Sequence, residues 1–161
     1  MNSTEIEALR AFYVGNRQQL YTYALSITGN REAAEDAIQG IFEKLLRARS
    51  LPADLRPYVF RSVRNAAFDG WRRAKVRTDS IFDPATTIDA AESEPLVPPT
   101  DDLKPLLQQL PAEEREAIVL KIYGGFTFQE IADLREVPLP TVASWYRRGL
   151  ERLRALLTME R

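Results

Sequence analysis

Cysteine and histidine are both absent from the 161 residues. Without cysteine there are no disulfides, thiolate metal sites or cysteine nucleophiles. Without histidine there is no Ser-His-Asp triad, no imidazole zinc ligand and no imidazole proton shuttle. Any catalysis would be confined to carboxylate, hydroxyl, Lys or Tyr chemistry, so a non-enzymatic role with no metal and no cofactor is expected. No stretch approaches the roughly 20 apolar residues that a membrane span needs, and the polar, acidic start lacks the basic and apolar regions of a secretory signal. A soluble cytoplasmic protein with no membrane insertion is the expectation. Neither sign of charge is in excess, with 22 basic against 23 acidic residues and a net charge of −1. On that total nothing points to nucleic acid.

The total is a cancellation. Residues 1–79 carry 13 basic and 9 acidic groups, residues 80–102 carry none and 6, and residues 103–161 carry 9 and 8. The middle segment, from Ser80 to Asp102, also holds four prolines and no sustained apolar period, which marks a solvated, flexible acidic linker between two small domains. A length of 161 residues, at roughly 150 per domain, is compatible with that division.

Both flanks read as helical, because apolar residues recur at spacings of three and four and no segment alternates like a half-buried strand. In the first flank Leu20, Tyr23, Ala24 and Ile27 form one stripe, closed by Thr28, Gly29 and Asn30 as a helix stop. Ala34, Ile38, Ile41, Phe42 and Leu45 form a second stripe on a helix from about Arg31 to Arg49, which Pro52 ends. A third helix carries Val59, Phe60, Val63, Ala66, Ala67 and Trp71, with an interruption expected near Asn65. Three or four helices then make a small bundle. Between Arg56 and Arg77 this flank holds seven basic residues against the single acid Asp69, with Tyr58, Phe60, Phe68 and Trp71 interleaved. Cations mixed with aromatics suit single-stranded nucleic acid, held by stacking and phosphate contacts; Phe60, Phe68 and Trp71 are equally suited to a core.

In the second flank Pro111 precedes a helix of about Ala112 to Tyr123, stopped by Gly124 and Gly125. Thr127 and Glu130 have capping-box spacing and open a short helix with Phe128, Ile131, Ala132 and Leu134 inward. After a tight connection at Arg135 to Val137, a longer helix begins around Pro138 and Pro140. Short helix, tight turn, longer helix is the helix-turn-helix arrangement, whose second helix enters the DNA major groove. With Val142, Tyr146, Gly149, Leu150, Leu153 and Leu157 inward, Thr141, Ser144, Arg147, Arg148 and Arg152 fall on the outer faces and Trp145 at the margin.

Taken in this order, the segments resemble the extracytoplasmic-function (ECF, group IV) sigma factors of bacterial RNA polymerase. Leu20 to Asn30 followed by Ala34 to Phe42 is similar to the family's regions 2.1 and 2.2, Tyr58 to Arg73 to its regions 2.3 and 2.4, and Leu110 to Ser144 to its region 4. The resemblance implies an all-α protein: a region 2 helical bundle over 1–79, the acidic linker over 80–102, and a region 4 helix-turn-helix domain over 103–161. It implies core RNA polymerase, through its clamp and flap, and promoter DNA as partners, with an anti-sigma factor as a further candidate. Residue by residue it places Glu35, Asp36, Gln39, Phe42 and Glu43 on the helix that docks on the clamp. Tyr58, Arg61, Arg64, Asn65, Arg72 and Arg73 fall to the −10 element, with Asn65 where the chain turns around a flipped base. Thr127, Thr141, Ser144, Trp145, Arg147, Arg148 and Arg152 fall to the −35 element.

Departures from the family pattern limit the transfer. Gly40 follows Gln39 where a glutamate is common, and a glycine inside a helix costs roughly 1 kcal/mol against alanine. The recognition helix reads Pro140, Thr141, Val142, Ala143, Ser144, Trp145, which loses two customary basic positions. Three fates stay open for Trp145: contact with a thymine methyl, inward packing, or a protein partner. The alternative function is a helix-turn-helix regulator that binds duplex DNA without polymerase. A nuclease is disfavoured because Asp36, Asp69 and Asp133 lack the clustering of a two-metal site.

Overall fold

The computed structural model describes residues 1–78 and 104–159, with side chains at 1–70 and 105–159. The expected linker over 80–102 lies outside the described residues. Among those described, every regular element is helical. The chain divides into two compact units, Met1–Val97 and Pro98–Arg161.

The first unit is a three-helix bundle of α1 (Ser3–Thr28), α2 (Arg31–Arg47) and α3 (Leu55–Thr78), each packed on the other two. Asn2 and Glu5 close a capping box on α1: the Glu5 amide donates to Asn2 Oδ1 at 2.9 Å, and the Asn2 amide donates to Glu5 Oε2 at 3.2 Å. At the other end Gly29 adopts a left-handed φ of 66° and its amide donates to the Leu25 carbonyl at 2.8 Å. That conformation costs glycine little and other residues about 1 kcal/mol or more. Asn30 then caps α2, its side chain accepting from the Ala33 amide at 3.0 Å. Two residues thus end one helix and begin the next, and the tight joint lays α2 back against α1.

The buried centre takes Leu20, Tyr23 and Ala24 from α1, Ala34, Ile38, Ile41 and Leu45 from α2, and Val59, Phe60, Val63 and Ala67 from α3. Phe60 meets Tyr23 at a ring separation of 6.0 Å. The interruption expected near Asn65 does not occur. Helix α3 is continuous through it, because Val59, Phe60, Val63 and Ala67 keep one apolar stripe running past that point. Helix α1 extends well before the Leu20 stripe, back to Ser3, with only Leu9 fully buried in its first half.

The second unit contains α4 (Lys104–Gln108), α5 (Ala112–Ile118), α6 (Phe128–Arg135) and α7 (Leu139–Met159). Helix α5 runs on into a π-helical turn at Val119–Tyr123, widening the segment read from sequence as one regular helix. Thr127 caps α6 with the expected box: the Glu130 amide donates to its hydroxyl at 3.1 Å and its own amide donates to Glu130 Oε1 at 2.9 Å. Glu136 takes the left-handed conformation at φ 56° and closes α6, so the turn into α7 is as short as the sequence implied. Val142, Gly149 and Leu153 are buried beneath α7, whereas Leu150 and Leu157, expected inward, are partly exposed.

Helix α7 comes so close to α5 that only a hydrogen fits at position 149. A Cβ there would stand 2.6 Å from Ile118 Cδ1 and 3.3 Å from both the Glu114 Cβ and its carbonyl oxygen. Ile118 is itself fully buried, and the Glu114 backbone carbonyl at 3.3 Å cannot turn aside as a side-chain end can. Gly149→Ala is therefore expected to lower stability by about 1 kcal/mol or more, overpacking outweighing the gain in helix propensity. Gly40→Ala, with nothing within 4 Å of its new methyl, is expected to raise stability by about 1 kcal/mol. Calorimetric unfolding of the two variants should give shifts of opposite sign.

Candidate polymerase and promoter surfaces

Helix α2 presents its acidic residues in two settings. Asp36, Gln39 and Glu43 are exposed, while Glu35 is half-buried and accepts from Arg31 Nε at 3.2 Å. Burial pushes the nearby Tyr21 hydroxyl upward in pKa, with Arg31 opposing the shift and Glu35 adding to it. Phe42 is not presented to solvent as a docking ring. It is buried, with Tyr13 edge-on at 4.8 Å and Phe12 at 6.4 Å, because its position continues the α2 stripe facing α1. A groove of about 590 Å³ between α1 and α2 unites Glu35, Gln39, Phe42 and Glu43. Leu9, Ile38 and Phe42 form its buried floor, and Arg10 and Glu43 stand exposed at its edge. Asp36 does not line it.

On α3 the buried residues Val59, Phe60, Val63 and Ala67 leave the opposite face to Tyr58, Arg61 and Asn65, all exposed. The spacings of three and four place these on one stripe. Arg64 stands beside it, its guanidinium carbon 4.7 Å from the centroid of the half-buried Phe68 ring. Of the interleaved aromatics, Phe60 is core and Tyr58, 47% exposed, is available. The side chains of Trp71, Arg72 and Arg73 lie outside the described residues.

In the second unit Thr127 is exposed at the start of α6, and on α7 Arg147 is exposed while Thr141, Ser144 and Trp145 are half-buried. Arg148 and Arg152 are exposed, as read from sequence, and also stand beside α5. Their Nε atoms stand 3.8 and 2.9 Å from the two carboxylate oxygens of Glu114, a buried residue. The pairing follows from their register: both lie on the edge of α7 next to α5, where the missing side chain of Gly149 brings Glu114 within reach. Glu114 Oε2 has the arginine charge beside it but no aligned hydrogen. Burial pushes the neighbouring Arg115 guanidinium downward in pKa, against the pull of Glu116 and Glu113. More than half of each paired arginine side chain stays exposed.

A second buried carboxylate, Glu116, accepts from Arg135 Nη1 at 2.5 Å and ties α5 to α6. Arg135 in turn lies under Trp145, its guanidinium carbon 5.0 Å from the ring. The sequence reading passed over Glu114, Glu116 and Arg135. A signal was present for Glu114, which stands three and four residues before the apolar Ala117 and Ile118 and so on the inward face.

Comparison with known proteins agrees with this geometry. Residues 12–77 match the family described as Sigma-70 region 2, and residues 101–153 match Sigma-70, region 4. The ECF RNA polymerase sigma factor SigL of Mycobacterium tuberculosis is 30% identical over 96% of this chain and 92% of its own length. The chain belongs to the ECF RNA polymerase sigma factors. It is also 25% identical to EcfG of Rhodopseudomonas palustris, over 96% of this chain and 87% of that protein. With SigE of Mycolicibacterium smegmatis the identity is 29% over 86% of this chain, which spans only 57% of that longer protein. A solved structure of the sigma factor RpoE in complex with the anti-sigma factor NepR, from Bartonella quintana, matches with a TM-score of 0.73 and 25% identity, covering 96% of this chain and 99% of that one. Membership of this family of non-catalytic initiation factors makes promoter-specific initiation with RNA polymerase the function, and the polymerase-independent regulator is not favoured. No helix among the described residues is long and apolar enough to cross a membrane.

The Glu116–Arg135 pair makes a stability prediction. Its side chains are 5% and 14% exposed, so removing one partner strands a charge. Glu116→Ala should cost about 3 kcal/mol. Replacing both, as Glu116→Gln with Arg135→Met, should recover at least half of that in urea unfolding.

Proposed function

We propose a division of labour among the surfaces of this sigma factor. Residues 1–79 join the core polymerase and capture the −10 strand, and residues 103–161 bind the −35 duplex. The groove between α1 and α2 receives the polymerase clamp, with Glu35, Gln39 and Glu43 complementing a basic partner and Phe42 acting from below as part of the floor. Charge complementarity of this kind mainly speeds and orients docking. The outer stripe of α3 takes the melted −10 strand, Tyr58 offering a stacking surface and Arg61 and Arg64 the cations. Asn65 stands on the same stripe and acts from a continuous helix, with no chain turn to enclose the base. The helix-turn-helix of α6 and α7 lies over the −35 element. Thr141, Ser144 and Trp145 face base edges, and Thr127, Arg147, Arg148 and Arg152 face phosphates. The partly exposed Leu150 and Leu157, which with Leu153 line a shallow cavity, fit an apolar partner such as the polymerase flap. An anti-sigma factor as regulator is supported by the complex formed by the structural relative. The site of action is the cytoplasm, where polymerase and promoter meet.

The observation that carries this reading is the two-sidedness of α3: an unbroken apolar stripe fixes the helix in the bundle, and its far face holds an exposed aromatic in line with arginine and asparagine. Run-off transcription with core polymerase tests it. Arg61→Ala with Arg64→Ala should reduce open-complex formation at least tenfold, read by permanganate reactivity of −10 thymines, while assembly with the core stays at the wild-type level. Undiminished opening would remove α3 from the −10 site; lost assembly would move it to the polymerase interface.

A further inference from the structure

Trp145 stands in the second turn of α7, the part of a recognition helix that meets base edges, and the structure shows how its ring is held. Glu116 of α5 is buried and binds Arg135 Nη1 at 2.5 Å. Arg135 of α6 is largely buried as well, and its guanidinium carbon lies 5.0 Å from the Trp145 ring. The carboxylate fixes the arginine and the planar cation fixes the indole, a stack that arginine supports and lysine does not reproduce. A chain of contacts from α5 through α6 thus ends on one half-buried ring of α7. That is more support than a surface aromatic needs. It also settles one of the three fates considered for Trp145, since the ring is not packed into the core under α7, where Val142, Gly149 and Leu153 are buried.

We infer that Trp145 is a specificity-determining residue that selects thymine at one −35 position by apolar contact with its 5-methyl group, and that Arg135 is the positioning residue for the indole. The inference rests on the reading that α7 enters the −35 major groove. Its chemistry is restrictive. Indole has a single N–H donor and no acceptor, so it cannot make the paired contacts by which arginine reads guanine or asparagine reads adenine. The apolar feature that bases display in the major groove is the thymine methyl. Arg135 does not take over guanine reading, because its charge is matched by Glu116. Thr141 and Ser144, four and one residues before Trp145, remain for polar contacts to neighbouring bases.

Single replacement of each −35 thymine by deoxyuridine, which removes the methyl and leaves base pairing intact, tests this with the holoenzyme on a mapped promoter. Wild-type protein should lose about fourfold in affinity at one thymine, the worth of one buried methyl. Trp145→Ala should bind more weakly overall and be indifferent to that replacement. The neutral pair Arg135→Met with Glu116→Gln, which leaves no buried charge alone, should keep the ring but reduce the penalty to less than twofold. If no thymine is sensitive, or if Trp145→Ala keeps the full penalty, the indole reads no methyl and only covers the Arg135–Glu116 pair. If the neutral pair keeps the full penalty, Arg135 does not position the ring. Failure of the wild-type holoenzyme to protect any duplex upstream of −10 would overturn the underlying placement of α7, which is distinguishable from protection without methyl sensitivity.

Discussion

The carboxylates of Glu114 and Glu116, two residues apart on one short helix and both buried, are the constraint on which the second unit is built. A helix turns about 100° per residue, so side chains two apart point in widely different directions. Glu114 reaches Arg148 and Arg152 on α7, and Glu116 reaches Arg135 on α6. Each charge is too costly to bury unless its arginine stands in place. The two helices of the DNA-binding motif are therefore indexed separately against α5, and the angle between them does not rest on the three-residue turn alone. Gly149 is the geometric condition for this arrangement, since its hydrogen admits Ile118 and Glu114 to the surface of α7.

Under the proposed −10 role, α3 of the first unit serves as both an anchor and a recognition surface. What reconciles the two is unbroken helical periodicity: Val59, Phe60, Val63 and Ala67 go inward, and Tyr58, Arg61 and Asn65 remain outside. A chain break at Asn65 would have freed that residue at the expense of the register of everything after it. With α3 continuous, the exposed stripe is presented on a frame held by two other helices. A rigid frame suits the proposed capture of an unstacked strand, because little conformational freedom is left to lose on binding.

Much of this was legible in the sequence, and for identifiable reasons. The Gly29–Asn30 joint and the Thr127–Glu130 box were readable because each depends on side chains a few residues apart satisfying local backbone groups. The stripes of α2 and α3 were readable from their period. The start of α1 was not, since its first half buries only Leu9 fully and gives no stripe to find. The π-helical turn after Ile118 was hidden for another reason: Val119 and Leu120 are buried, and an apolar run looks the same whichever hydrogen-bond spacing it adopts. Arg148 and Arg152 are exposed as their projection implies, but helical projection measures angle from the core and cannot show that a carboxylate on a neighbouring helix stands beside them. Phe42 is buried as the α2 stripe implied; it was the family resemblance, not its period, that set it on the clamp-docking helix.

These pairings alter how the chain must divide its electrostatic work on DNA. Counterion release rewards each phosphate that meets an available positive charge, and in the second unit Glu114 and Glu116 offset part of the charge of the arginines they hold. What remains there is charge held near one place: the Nε atoms of Arg148 and Arg152 stand 3.8 and 2.9 Å from the oxygens of buried Glu114, while more than half of each side chain stays exposed. In the proposed −35 complex such groups would lose less rotamer freedom when a phosphate arrives and would fix its register. On the proposed division of labour, the segment between Arg56 and Arg77, with seven basic residues against one acid, supplies the larger share of the non-specific attraction. The near-neutral total of −1 is then no argument against DNA, because it sums 13 basic and 9 acidic groups over residues 1–79 with six acids and no base over residues 80–102.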